Sequence, residues 1–293
     1  MKKAKSYKKE VKIKKRNVKQ IATYALIGLT ILGIVSGSAV VVTKRGGNSA
    51  KEEKTLSIMG DSISTFAGWS NDATNTNSTI GSNEPRYDGK SDGLVSASQT
   101  WWKQTADRTG MRLLVNNSWR GTRVTTTSST TSAGCMSRAV NLHDDTGDNA
   151  GEKPDVIAVY LGINDFNAKV PCGNFENLTD IYDNQTREYI GSLKEFAPAY
   201  ATMIHKMIVA YPEAEIYCFT HVPNTRRDDL MALEEYNNVI CYIADYFEAK
   251  VVDLYNDSGI TAEILDYCMS DGLHPNAEGM DLITDCFINA IKE

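Results

Sequence analysis

The stretch Asp155-Val-Ile-Ala-Val-Tyr-Leu161, followed at once by Gly162-Ile-Asn-Asp165, decides the fold. Seven residues with hardly a polar group are too short for a buried helix. They suit a strand covered on both faces, which is the condition of a central strand in a parallel sheet. Working outward, similar short runs recur: Leu56–Met59, Arg112–Val115, Glu215–Thr220 and Val251–Leu254. Between them lie helical patterns. Ser98–Arg108 ends at Gly110. Phe196, Tyr200, Met203, Ile204, Met207, Ile208 and Tyr211 recur at spacings of three and four, and Leu230–Phe247 and Asn276–Ile291 complete the series. Strands alternating with helices predict an α/β domain, a parallel sheet between two helical layers. Residues 67–97 and Thr125–Ser132 are rich in small polar residues and read as surface loops.

The first fifty residues differ in kind. They carry twelve Lys/Arg and one acid, whereas residues 51–293 carry nineteen bases against thirty-six acids. Residues 1–20 are basic, and Ile21–Val42 contains no charge. At about 1.5 Å per residue, that stretch makes roughly 33 Å of helix, enough to span a bilayer. The expected organisation is a basic cytoplasmic segment (1–20), a transmembrane signal-anchor (21–42), a linker (43–53) and a catalytic domain (54–293). The heavier upstream positive cluster places that domain outside the cytoplasm. Cleavage of the segment is the alternative, leaving a secreted domain. Ser36-Gly37-Ser38-Ala39, however, lies inside the apolar stretch rather than after it. The acidic domain excludes a nucleic-acid partner, which needs a basic face. Cys218, Cys241 and Cys286 sit in apolar patterns and read as buried thiols. Cys135 and Cys172 lie in loop-like sequence, and no disulfide is assigned.

In open α/β sheets, ligands bind beyond the carboxyl ends of the strands. The first four expected strands are followed in turn by Gly60-Asp61-Ser62-Ile63-Ser64, by Asn116-Asn117-Ser118-Trp119-Arg120-Gly121, by Gly162-Ile163-Asn164-Asp165 and by His221-Val222-Pro223, and Asp271-Gly272-Leu273-His274-Pro275 lies between the fifth strand and the last helix. One rim thus receives a hydroxyl, a carboxamide, imidazoles and carboxylates, the groups acyl transfer needs. Three residues from Asp271 to His274 let the carboxylate accept from its own imidazole Nδ1–H and turn Nε2 toward Ser62.

These blocks resemble the SGNH hydrolases, also called GDSL esterases/lipases. Gly60–Ser64 is similar to the first block, with Ile where Leu is usual. Gly162–Asp165 is similar to Gly-x-Asn-Asp, and Asp271–Pro275 to Asp-x-x-His-Pro. The resemblance covers about Leu56–Ile291. It implies a flavodoxin-like three-layer sandwich with Ser62 as nucleophile, His274 as base and Asp271 as orienting acid. It also implies an oxyanion hole from the Ser62 N–H, a glycine N–H and the Asn164 side chain. The second block departs from the family, for its nearest glycine, Gly121, follows a bulky Trp119-Arg120 pair. Gly121 is assigned to the oxyanion hole. The Gly-x-Ser-x-Gly elbow of α/β-hydrolases is absent.

Other residues weigh differently. Trp69, Trp119, Arg120 and His221 are candidate substrate contacts, each set against a structural or solvated reading. Asp61 and Asp165 read as loop-bracing acceptors, and Trp101-Trp102 as core. A two-metal phosphoesterase needs more histidines than the four present, so neither metal nor cofactor is expected. The expected function is an extracytoplasmic serine esterase acting on short acyl, above all acetyl, esters of carbohydrate. The glycan part follows from analogy rather than from any residue. The alternatives are an O-acyltransferase using the same site and a non-catalytic glycan-binding surface protein.

Overall fold

The computed structural model describes residues 53–69, 85–90, 93–126, 133–145, 150–174 and 181–293. The expected basic segment, the transmembrane segment and residues 43–52 of the linker lie outside these. Among the described residues no helix is long and apolar enough to cross a membrane. Lys54–Glu293 forms one compact unit.

Five parallel strands make the central sheet: β1 (Thr55–Gly60), β2 (Arg112–Ser118), β3 (Val156–Tyr160), β4 (Glu215–Phe219) and β5 (Lys250–Val252). Their order is 2-1-3-4-5. Every residue of β3 is buried, as its unbroken apolar run requires. The four long helices are α1 (Trp101–Thr109), α2 (Phe196–Ala210), α3 (Leu230–Tyr246) and α4 (Ala277–Lys292).

The two faces of β4 show how the layers are assigned. Side chains alternate across a strand. Tyr217 and Phe219 pack edge-on to Phe287 of α4, with centroids at 5.3 and 4.9 Å, and Trp101 of α1 lies 5.1 Å from Phe219. Cys218, between them, meets Tyr200 of α2 on the other face. Helices α1 and α4 therefore cover one face, and α2, with α3 packed beside it, the other. The domain is the α/β architecture with a central parallel sheet that the sequence predicts.

The element ends follow local chemistry. Gly110 takes φ 70° and stops α1. Asp229 and Asn276 cap α3 and α4 by accepting the N–H of Ala232 and Gly279 at 3.1 and 3.0 Å. Three expectations are corrected. The helix expected from Ser98 begins at Trp101, because Thr100 is extended and caps it, leaving a single 3₁₀ turn upstream (Ala97–Gln99). Strand β2 runs three residues further, through Asn116, Asn117 and Ser118. These are buried polar residues whose side chains bond to Ser64 O, Asn141 O and Asn116 Oδ1. The fifth strand stops at Val252, since Asp253 caps a helical turn over Leu254–Asp257.

The expected surface loops also carry buried side chains. Tyr87, Leu94 and Thr125 are enclosed, and Tyr87 Oη donates to Pro275 O at 2.8 Å. Cys135 lies on a helical turn, Ala133–Arg138, rather than in a loop. All six cysteines are free thiols; Cys241 is partly exposed and the others are buried.

Candidate active site

At the carboxyl rim the register sets Gly60 beside both Ser118 and Tyr160. The segments after β1, β2 and β3 therefore leave the sheet side by side. After Gly60 the chain turns through one 3₁₀ turn, Ser62–Ser64, capped by Asp61 Oδ1, which accepts the Ile63 N–H at 3.0 Å. Gly60 permits this turn by its lack of a side chain. A Cβ there would stand 2.6 Å from the Ser64 Cβ and 2.7 Å from Ser118 Oγ. Trp101 and Trp102 donate their indole N–H groups to Ser64 Oγ and Ser64 O at 3.2 and 2.9 Å, which fixes the turn against the core.

Ser62 Oγ lies 2.9 Å from His274 Nε2, across 212 positions of chain. His274 Nδ1 lies 2.9 and 3.0 Å from the two oxygens of Asp271. Burial by itself would raise the Asp271 carboxyl. The His274 backbone N–H, its imidazole and the Leu273 N–H outweigh that and hold it well below the usual carboxylate range. An ionised Asp271 can only accept, so Nδ1 carries the proton and Nε2 is the acceptor for the Ser62 hydroxyl. Burial lowers the His274 imidazole below its ordinary value. Asp271 opposes this, and the charges of Arg86 and Arg120 add to it. In the same loop, Gly272 sits at φ 74° with Thr225 so close that a Cβ would meet Thr225 Oγ1 at 2.1 Å.

Asn164 follows β3 and Gly121 follows β2. Asn164 Nδ2 donates to Asp61 Oδ2 at 3.2 Å and to Thr122 O at 2.9 Å, so its amide joins the residue before Ser62 to the residue after Gly121. Gly121 is exposed and takes φ 72° in a turn closed by the Thr122 N–H on Trp119 O, a position that favours glycine. Asp61 is enclosed, and burial pushes its carboxyl up to about 7 against the Ile63 N–H and the charge of Arg138. Asp165 is likewise enclosed and pushed by burial to about 6, although it accepts from Val124 N, Thr125 N and Thr125 Oγ1. Both brace loops, Asp165 by holding the segment after β2.

The expected substrate contacts separate. Trp69 is 45% exposed, its ring 5.9 Å from Trp102. Trp119 is half-buried under the Arg138 guanidinium at 4.7 Å, and Arg120 is exposed. His221 is not on the rim surface. It is buried, stacked on Tyr160 at 5.5 Å with Nε2 bonded to Leu161 O, and burial lowers it to about 4. No face of that ring is left for a substrate.

Three arginines escaped the sequence reading. Arg138 is buried and donates to Gly60 O and Asn117 O at 3.3 and 2.6 Å, tying together the ends of β1 and β2. Arg86 and Arg226 both reach Asp271 Oδ2, at 3.3 and 3.2 Å. Each comes from a segment without hydrophobic period, so no pattern marks it. Among the described residues no group of His, Cys, Asp and Glu gathers to hold a metal ion.

The model of the GDSL-like lipase/acylhydrolase family matches residues 54–291. The chain belongs to that family. It is an ester-hydrolysing enzyme, as the family's activity requires. A solved structure named as a GDSL-like lipase from Bacteroides ovatus ATCC 8483 is 26% identical, with a TM-score of 0.59 over 83% of this chain and 99% of that one. Another of the same name from Bacteroides uniformis ATCC 8492 is 23% identical, with a TM-score of 0.59 over 83% and 97%. A Lactobacillus plantarum protein, 16% identical, has a TM-score of 0.54 over 82% and 96%, and shares the fold. No curated protein matches the sequence.

Proposed function

We propose that this family member is an extracytoplasmic serine esterase that removes short acyl groups, acetyl above all, from carbohydrate esters. The observation that carries the chemistry is the 2.9 Å contact between Ser62 Oγ and His274 Nε2, with Asp271 behind the imidazole. In this reading Ser62 attacks the ester carbonyl as His274 takes its proton. Asp271 holds the ring and stabilises the imidazolium. The developing oxyanion is met by the N–H groups of Ser62 and Gly121 and by the Asn164 amide. Asn164 gives up one of its two present acceptors to do so. Each such donor is worth about 3–4 kcal/mol in comparable sites. His274 then protonates the leaving alcohol, and water, activated by the same imidazole, cleaves the acyl-enzyme.

The location rests on residues 1–42, basic and then uncharged, and the acetyl and carbohydrate parts rest on that location and on analogy. This reading gives the exposed Trp69 ring the role of stacking on a sugar ring. The test is the full chain in detergent, assayed on p-nitrophenyl acetate and on an acetylated xylan. Release of acetate from both, lost in Ser62→Ala, is expected. Turnover that survives Ser62→Ala would overturn the mechanism. Mass spectrometry of the membrane fraction tests the anchor, which requires a mature N-terminus before residue 21.

A further inference from the structure

The Asn164 amide nitrogen has two acceptors, Thr122 O at 2.9 Å and Asp61 Oδ2 at 3.2 Å. Together they fix the plane of the carboxamide. They also fix which end is nitrogen, since Oδ1 turned that way would face two oxygens. The proposed reaction asks one N–H to leave its acceptor and meet the oxyanion. Whichever acceptor is kept then still orients the amide. The two acceptors differ in what else they do. Thr122 heads a segment that Asp165, the neighbour of Asn164, already grips through Val124 N, Thr125 N and Thr125 Oγ1 at 2.8, 3.0 and 2.6 Å. Release of Thr122 O leaves that segment in place.

Asp61 has no such substitute. Its Oδ1 caps the Ser62–Ser64 turn by accepting the Ile63 N–H, and its Oδ2 accepts from Asn164 Nδ2. Among the described residues no other hydrogen bond joins that turn to the helical turn Ile163–Asn167. One planar carboxyl therefore sets the spacing between the nucleophile and the amide. The residue is 1% exposed, so water does not compete for either bond. Capping alone does not call for this side chain. Serine caps a helical turn as well as aspartate does, and an enclosed carboxyl is costly, with burial pushing this one up to about 7. A second task, with each oxygen on a different element, accounts for it. We propose that Asp61 is a positioning residue, which keeps the Asn164 amide aimed at the oxyanion while Thr122 O is the acceptor that Asn164 releases. Asp61 touches no reacting atom and acts through Asn164. This inference rests on the esterase reading above and adds a residue to its machinery.

The test is a double-mutant cycle on the full chain, with p-nitrophenyl acetate at pH 6. That lies below the value of about 7 for Asp61, so the carboxyl removed is mostly uncharged. Asp61→Ser keeps an oxygen for the Ile63 N–H and has none for Asn164. Its kcat is expected to fall by about ten- to hundredfold, with KM changed by less than about threefold. Asn164→Ala, which removes the donor itself, should lower kcat by about 10²–10³. Adding Asp61→Ser to Asn164→Ala should then cost less than about threefold more, because the group that Asp61 positions is gone. A merely structural role would lower kcat by the same factor in both backgrounds. Urea midpoints show which variants are folded. If Asp61→Ser unfolds, Asp61→Thr, which also caps and whose methyl fills part of the space, carries the same expectation. A folded Asp61 variant with kcat within about twofold of wild type would overturn this inference. So would an equal fall in both backgrounds, or an Asn164→Ala enzyme with wild-type kcat. Each of these leaves Ser62, His274 and the esterase reading standing. Wild type that fails to hydrolyse the ester, or hydrolysis that survives Ser62→Ala, would sink both.

Discussion

Ser62 and His274 set the first expectations because the proposed chemistry passes between two atoms 2.9 Å apart. Removing the hydroxyl in Ser62→Ala should lower kcat by at least about 10³-fold, leaving what binding and the oxyanion donors supply unaided. A stopped assay on p-nitrophenyl acetate reads this, and a loss below tenfold would contradict the nucleophile. The base must be neutral to act. Burial and the neighbouring arginines lower the His274 imidazole, so less alkali is needed to free it. The kcat/KM profile should therefore rise with pH and reach half its plateau below about 6.5, the ordinary histidine value. A midpoint well above that would mean that Asp271 dominates the ring and that the desolvation argued here is wrong.

One scale up, the site is a meeting of strand ends, and Gly60 is the tight joint beside the nucleophile. A methyl group at Gly60 would overlap Ser64, which Trp101, Trp102 and Asn116 hold in place, and Ser118, whose Oγ donates to Asn116 Oδ1. Gly60→Ala should cost about 1–3 kcal/mol of stability by overpacking and, by shifting Ser62, lower kcat by about 10²-fold. Denaturant midpoints and kcat together test it. Full activity would show that the turn relaxes freely. The same joint shows why the sequence was legible here and not elsewhere. The strands and long helices announce themselves by hydrophobic period, and Ser62 and Asn164 stand just past strand ends where period stops, with Asp271 and His274 in the segment between β5 and α4. Asn116–Ser118 were lost because buried polar residues look like loop until their partners, Ser64 and Asn141, are known. His221 misled for the converse reason. Its position after β4 marks it as a rim residue, but its ring turns inward onto Tyr160, a choice made by packing between distant segments. Arg86, Arg138 and Arg226 could not be placed at all, because what they bind lies 185, 78 and 45 positions away.

Across the whole molecule, buried charge couples the site to stability. Asp61 is enclosed beside the nucleophile and keeps its proton to about pH 7 in the folded protein, whereas the unfolded chain loses it near 3.8. Between those values the folded state binds the extra proton. Stability from this group is therefore present at pH 4 and is lost progressively as pH rises to about 7. Asp165 acts in the same direction up to about 6. His221, neutral and buried with its value lowered to about 4, acts oppositely, losing stability as pH falls from 6.5. The net slope is a contest, but the Asp61 share can be isolated. Asp61→Asn cannot titrate, so the difference in unfolding free energy between variant and wild type should move in the variant's favour by a few kcal/mol from pH 4 to pH 7. An upper bound is about 4 kcal/mol for a shift of roughly three units. Urea unfolding of the full chain at pH 4, 5, 6 and 7 measures this. The Asn side chain still disturbs the bonds to Ile63 and Asn164, but that cost is the same at every pH and drops out of the slope. A difference that stays constant across the series would mean that Asp61 is ionised in the folded protein at pH 5, with Arg138 and the Asn164 amide stabilising its charge more than burial opposes it.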